Sequence, residues 1–142
     1  MSDRRLRARA GRWAGSIALF LQVQAGTSVA LVLLQSVLAG HLLTGQPTAL
    51  DLHGVVGTEV FLTLVGLQLL AALAWAIAGG PFASVVLTAA LFGLVTAQSS
   101  LGFDGRLALH VPNAFLILLA HLWLYRRTRH SRRLERTTEA QA

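Results

Sequence analysis

The chain has 142 residues, of which 54% are hydrophobic and 13% are charged, and its formal net charge is +6. Soluble domains average about 45–50% apolar and about 25% charged residues, so this composition excludes an ordinary soluble enzyme domain. The length fits one domain. The sequence contains no cysteine, which excludes disulfides, thiolate metal sites, iron–sulfur clusters and haem attached covalently through cysteine.

The basic residues lie at the two ends of the chain. Five arginines fall in the first twelve residues and six in the last seventeen, and only Arg106 lies between these groups. Arginine-rich segments next to membrane spans set topology and attract anionic lipid. We therefore expect an N-terminal tail over 1–13 and a C-terminal tail over 126–142 that contact the lipid bilayer, with no specific nucleic-acid binding.

The segment between the tails is long enough for four membrane spans. From Trp13 to Tyr125 its formal charges are Asp51, Glu59, Asp104 and Arg106. A hydrocarbon core of about 30 Å requires roughly 20 mostly apolar residues per helix. The predicted spans are about 14–40, 52–78, 82–101 and 107–125. The apolar runs lack the alternation of barrel strands, so we predict an all-α integral membrane protein that forms a four-transmembrane-helix bundle over 14–125.

The arginines also predict the orientation of this bundle. An even number of spans puts both tails on one side, and the positive-inside rule makes that side cytoplasmic. We expect a multi-pass protein of the bacterial plasma membrane, with loops 41–51 and 102–106 facing outward. Trp13, Trp75, Trp123 and Tyr125 then lie near the cytoplasmic interface, where aromatic side chains are favoured.

A repeated pattern divides the bundle into two halves. Gln-Ser-x-Leu occurs at 35–38 and 98–101, and Leu-x-Leu-His occurs at 50–53 and 107–110. The repetition predicts tandem two-helix hairpins of the same direction, related by an axis along the membrane normal. His53 and His110 would then lie at the same depth and face each other in the bundle core, where helices build cofactor sites from facing side chains.

A facing histidine pair suits one b-type haem. Neutral imidazole is a common iron ligand, and one ring on each side of the porphyrin leaves no open axial position, which favours electron transfer. In this interpretation Gln35 and Gln98 hydrogen-bond to the ligand histidines or the propionates, and Arg106 pairs with a propionate. The alternative is that both histidines are interfacial polar residues that satisfy loop carbonyls.

The Gln98-x-x-Leu101-Gly102 run and the single ligand-type histidine in each hairpin resemble one half of haem A synthase. They are more similar still to an uncharacterised family of small four-helix bacterial membrane proteins, which itself resembles one half of haem A synthase or the four-helix bundles of b-type cytochromes. The resemblance implies that His53 and His110 are haem ligands. The synthase family's glutamate before a ligand is replaced here by Leu50, and its arginine after a ligand by Gly54 or Val111. The resemblance therefore implies haem binding rather than synthase activity.

For three further titratable residues, the sequence leaves alternative roles open. His41 is an alternative outer ligand, and His121 lies three turns beyond His110, where it would serve either a second haem or a polar anchor between helices. Glu59 is the one carboxylate well inside a predicted span. We expect it to be buried and hydrogen-bonded, or to relay a proton.

These patterns favour an electron carrier over a stand-alone enzyme, with a quinone or a membrane oxidoreductase as its partner. The sequence has no nucleotide-binding glycine loop, nucleophile elbow or zincin-type motif. One alternative is a non-enzymatic structural or accessory subunit of a larger membrane complex. A second is a small oligomeric transporter or channel subunit in which Glu59, Gln24 and Gln68 line a polar path.

Overall fold

A computed structural model of the chain describes the backbone of residues 2–141 and the side chains of residues 11 and 13–133. This part of the chain is all helical, without strands. Its elements are α1 (Ser2–Leu43), α2 (Pro47–Val55), a π-helical turn (Val56–Val60), α3 (Phe61–Ile77), α4 (Ala83–Phe103) and α5 (Leu107–Gln141). The second span combines α2, the π-helical turn and α3.

The four predicted spans are confirmed as helices long and apolar enough to cross a membrane. They cover Trp13–Leu43, Pro47–Ile77, Ala83–Phe103 and Leu107–Arg133. The first span extends three residues beyond its predicted C-terminal bound, the second begins at Pro47 instead of 52, and the fourth continues into the arginine-rich segment. Six of the tail arginines have side chains outside the described residues, namely Arg4, Arg5, Arg7, Arg9, Arg12 and Arg136.

Glycines in left-handed conformation form the three connections. Gly45, Gly79 and Gly105 have φ values of 80°, 92° and 69°, a region that glycine enters without steric cost. Each connection is only a few residues long, so helices that are consecutive in sequence must pack antiparallel. The connection 78–82 lies at the arginine-rich end of the bundle, and the other two lie at the opposite end, here called the histidine end.

The packing order places alternate spans on diagonals. α1 packs against α3 and α5, and α4 also packs against α3 and α5. Within residues 2–141, no Cα of α1 comes within 8 Å of α4, and none of α2 or α3 comes within 8 Å of α5. The second and fourth spans therefore face each other across the bundle axis.

Two apolar clusters fill the bundle along its axis. One lies toward the histidine end and contains Ala25, Phe61, Val65, Leu91, Val95, Ile117 and Leu124. The other lies toward the arginine-rich end and contains Ala18, Leu21, Ala72, Trp75 and Val85. The expected interfacial position of Trp75 is wrong, because this side chain is only 2% exposed and belongs to the second cluster.

The turn after α3 explains the burial of Trp75. The Gly80 backbone N–H donates to the Trp75 carbonyl at 2.8 Å, which folds the turn back over the indole. Trp13 and Trp123 are instead 68% and 47% exposed. Such exposure agrees with the preference of indole for membrane interfaces.

The π-helical turn inserts one residue into the second span. His53 precedes the buried residue Phe61 by eight positions, whereas His110 precedes the buried residue Ile117 by seven. A π-helical turn holds one more residue than the corresponding α-helical turn. It therefore rotates the rest of the span so that Phe61 faces the core despite the longer spacing.

The close approach of Gly80 to Trp75 predicts a stability effect. A Cβ at Gly80 would lie 2.6 Å from indole carbons of the fully enclosed Trp75 ring. Gly80→Ala should lower the stability of the folded protein by about 1–3 kcal/mol, since the ring has no space to move into. Thermal unfolding followed by circular dichroism in detergent measures this effect.

Gly93→Ala is the matched control, because a Cβ at this exposed position in α4 meets no atom within 4 Å. We expect Gly93→Ala to leave the melting temperature unchanged or slightly raised, since alanine favours helix. Equal melting temperatures for the two variants would contradict the proposed packing of the turn.

Candidate functional site

The structure brings His53 and His110 together at the bundle axis. Their ring centroids are 6.2 Å apart and the ring planes are inclined at 45°. The two residues belong to diagonal helices, so their side chains reach toward each other from opposite sides. Both are half-buried near the histidine end.

A backbone carbonyl fixes the ring of His110. Its Nδ1 lies 3.0 Å from the Gln98 carbonyl oxygen on α4. Because a carbonyl can only accept, Nδ1 carries the proton, and the neutral ring keeps its lone pair on Nε2. Gly102 makes room for this arrangement, since a Cβ there would lie 3.0 Å from Cε1 and 3.2 Å from Nδ1 of His110.

A side-chain amide anchors the backbone at His53. The Gln35 Nε2 on α1 donates to the His53 carbonyl at 2.9 Å. This carbonyl also accepts the Val56 N–H, where α2 meets the π-helical turn. Gly57 admits the amide, because a Cβ there would lie 2.6 Å from Gln35 Nε2. The buried Nδ1 of His53 has no partner at hydrogen-bond distance among the described side chains and backbone, and the Gln35 main chain lies beside the ring.

Both predicted glutamines therefore support the histidine-bearing helix of their own hairpin. The Gln35 side-chain amide donates to the His53 backbone, and the Gln35 main chain lies beside the His53 ring. Gln98 binds the His110 ring through its main-chain oxygen. The predicted hydrogen bond between each glutamine and the histidine of its hairpin is present, and in each case one partner is a backbone carbonyl.

Asn113 belongs to this site, although the sequence analysis did not identify it. Its Nδ2 donates to the Gln98 Oε1 at 2.7 Å and to the Leu94 carbonyl at 2.9 Å. The side chain lies one turn beyond His110 and is almost completely buried. A lone amide within an apolar span is the signal that could have identified it, since such residues are rare and turn inward.

Arg106 lies apart from the histidine pair. Its guanidinium is exposed in the loop and lies 3.9 Å from the Asp104 carboxylate. Within the described part of the chain, the guanidinium forms no hydrogen bond to His53 or His110, and Arg106 contacts His110 only through its carbonyl, which accepts the His110 backbone N–H. The short α4–α5 loop and the nearby carboxylate account for this position.

The remaining titratable candidates also lie away from the pair. His41 is exposed at the end of α1. His121 is fully buried, with Nδ1 2.9 Å from the Ile117 carbonyl and its ring edge-to-face with Phe61 at 5.8 Å between centroids. Eleven residues separate it from His110, which corresponds to about 16 Å along a helix.

Glu59 is exposed, so the expectation that it is buried is wrong for a single copy of the chain. It belongs to the π-helical turn on the outer surface of the bundle. Gln24 and Gln68 are buried inside the bundle. These three residues therefore do not line one continuous path within a single copy, as the transporter alternative requires.

The centroid distance of the histidine rings is compatible in length with two ligands of one metal ion, and it also falls in the range of ordinary contacts between aromatic rings. A metal–imidazole bond of about 2 Å and a five-membered ring built from bonds of about 1.33 Å place opposed ring centroids about 6.3 Å apart. The observed distance is 6.2 Å. Residues 11 and 13–133 contain no group of three or more His, Cys, Asp or Glu side chains able to hold a metal ion. The described side chains at this position therefore provide two imidazoles, and not the four ligands of a closed zinc site.

No protein-family profile, curated protein or solved structure matches the chain.

The Asn113 contacts predict a specific loss of stability. Asn113→Leu removes the donor from the Gln98 Oε1 and leaves that oxygen unpaired between apolar helices. An unsatisfied buried acceptor costs about 1–3 kcal/mol, so the melting temperature in detergent should fall. Thr96→Ala is the control, because the exposed Thr96 hydroxyl only bonds to a carbonyl of its own helix. If the two variants melt at the same temperature, the Asn113–Gln98 bond does not support the site.

Proposed function

We propose that this chain is an integral membrane b-type haem protein that transfers electrons. One haem would be held near the histidine end, with His53 and His110 as its axial ligands. The single observation that supports this function is the 6.2 Å separation of two imidazoles that reach across the bundle axis from diagonal helices.

The residues around the pair fit ligands of this kind. Metal-bound histidines usually donate their second ring N–H to a carbonyl or carboxylate, which fixes the ring and raises its basicity. His110 makes this bond to the Gln98 carbonyl. Gln35 fixes the backbone of His53. When bound, haem supplies a one-electron redox centre, and two imidazole ligands leave no open axial position for oxygen.

The burial pattern supports a tandem hairpin repeat as the origin of the pair. Buried positions after the two histidines correspond at a constant offset of 56 residues: Phe61 with Ile117, Val65 with His121, Gln68 with Leu124 and Ala72 with Thr128. The histidines themselves are offset by 57 residues. The one-residue difference falls at the π-helical turn, as expected if one residue was inserted into the first of two related hairpins.

The distribution of charge supports the location that we propose. The tail arginines make both termini cytoplasmic by the positive-inside rule, so the haem would lie near the outer face of a bacterial plasma membrane. A quinone or a membrane oxidoreductase is the electron partner that this position suits. Arg106 and Asp104 lie exposed in the loop between α4 and α5, at the histidine end. Arg106 could reach a propionate after leaving Asp104.

An absorption spectrum tests the proposal. Protein purified in mild detergent from haem-replete cells should show a Soret band and a six-coordinate low-spin spectrum, with a pyridine haemochrome of type b. His53→Ala and His110→Ala should each abolish the low-spin signature, because each removes one axial ligand. His41→Ala and His130→Ala are controls at exposed histidines and should keep it.

Chemical rescue separates ligation from folding. His110→Gly opens space for added imidazole, which should restore the low-spin spectrum if the iron lies at this position. The absence of a Soret band in the wild-type protein, or its persistence unchanged in the double variant at 53 and 110, would overturn the proposal. Haem-free protein that copurifies with a larger complex would instead indicate the accessory-subunit alternative.

A further inference from the structure

An open groove runs between α4 and α5 at the arginine-rich end. It has a volume of about 540 Å³ and is lined by Phe82, Ala83, Val86, Leu87, Ala90 and Trp123. Its surface is almost wholly apolar. The volume lies within the range of about 300–1,000 Å³ that is typical of small-molecule sites. Phe82 and Val86 are 69% and 57% exposed, so the groove opens on the surface that faces lipid.

The antiparallel register of the two helices fixes the depth of the groove. His110 contacts Gln98, and Asn113 contacts Leu94 and Gln98. Continuing this register along both helices places Arg127 at about the level of Phe82. The groove thus extends from the membrane interface into the hydrocarbon region, and Arg127 lies at its interfacial end.

Arg127 is positioned at the groove through Trp123. Its guanidinium carbon lies 5.0 Å from the centroid of the Trp123 ring, a cation–π distance. Its Nε has no hydrogen-bond partner in the described part of the chain. Arg126 and Arg129 lie exposed on neighbouring positions of α5.

No carboxylate with a described side chain neutralises this cluster. The acidic residues within residues 13–133 are Asp51, Glu59 and Asp104. Asp51 and Asp104 lie at the histidine end, and Glu59 lies in the half of the second span nearer that end. Among the described side chains, the charges at the interfacial end of the groove are therefore all positive.

We propose that this groove binds one anionic phospholipid, with an acyl chain along Val86 and Ala90 and the phosphate on Arg127. Guanidinium matches phosphate in charge and in its planar pair of donors, and tryptophan favours the depth where headgroup and chain meet. If two copies packed through this groove about a twofold axis, their arginine clusters would face each other. The repulsion between these clusters favours a lipid over a second copy as the occupant. This site is independent of the histidine pair.

Native mass spectrometry with defined lipids tests the proposal. The full chain is extracted in detergent and exchanged into equal amounts of dioleoyl phosphatidylglycerol and dioleoyl phosphatidylcholine, which share their acyl chains. We expect one retained phosphatidylglycerol per chain. Arg127→Gln should reduce its retention about fivefold or more, the factor expected for one interfacial cation.

Two further variants complete the experiment. Arg129→Gln removes the same charge from α5 at a position about 200° around the helix, and it should reduce retention by less than twofold. Ala90→Trp fills the groove without changing the charge and should displace the lipid. Equal losses in Arg127→Gln and Arg129→Gln, equal retention of the two lipids, or full retention in Ala90→Trp would each overturn the site.

Discussion

Lipid offers no hydrogen-bond partner to a polar group, and this constraint determines where the polar side chains of this bundle lie. In the spans, hydroxyls such as those of Thr88 and Thr128 bond to carbonyls of their own helix. Gln35, Gln98 and Asn113 face the interior, where they connect neighbouring helices, whereas Glu59 is exposed. The histidine pair is part of this inward-facing set, because an imidazole within a span is more stable beside backbone carbonyls than in hydrocarbon.

The same constraint explains why the second span contains a π-helical turn. A one-residue insertion in a regular α-helix would rotate every later side chain by about 100° and would turn polar Gln68 toward lipid. The turn at Val56–Val60 absorbs this rotation locally, and residues from Phe61 onward keep their inward face. Glu59 lies within the turn and is exposed. The rotation is thus confined to this short segment, and the one carboxylate in the segment, that of Glu59, lies on the outer surface.

Hydropathy and charge were sufficient to predict the four spans, because a long apolar run bounded by arginines has few alternative folds. The bounds were less accurate, since residues such as Pro47 and Arg126 can extend a helix without contributing to an apolar run. The repeated spacing of His53 and His110 predicted a pair, and the structure places their rings together. The sequence could not reveal the Gln98 carbonyl as a partner, since every residue has one. The position of Arg106 depends on loop geometry and the neighbouring Asp104.

The diagonal arrangement has a mechanical consequence. Each hairpin contributes one histidine, and the only covalent link between the hairpins is the turn 78–82 at the opposite end of the bundle. Any group bound by both rings would join the two hairpins at the histidine end. Together with the turn 78–82, it would close a loop through the whole protein. The free energy required to separate the hairpins would then include that of breaking the bond between this group and one histidine ring. By mass action, the folded fraction would rise with the concentration of that group, and supply of the ligand would govern how much of the protein persists in the membrane.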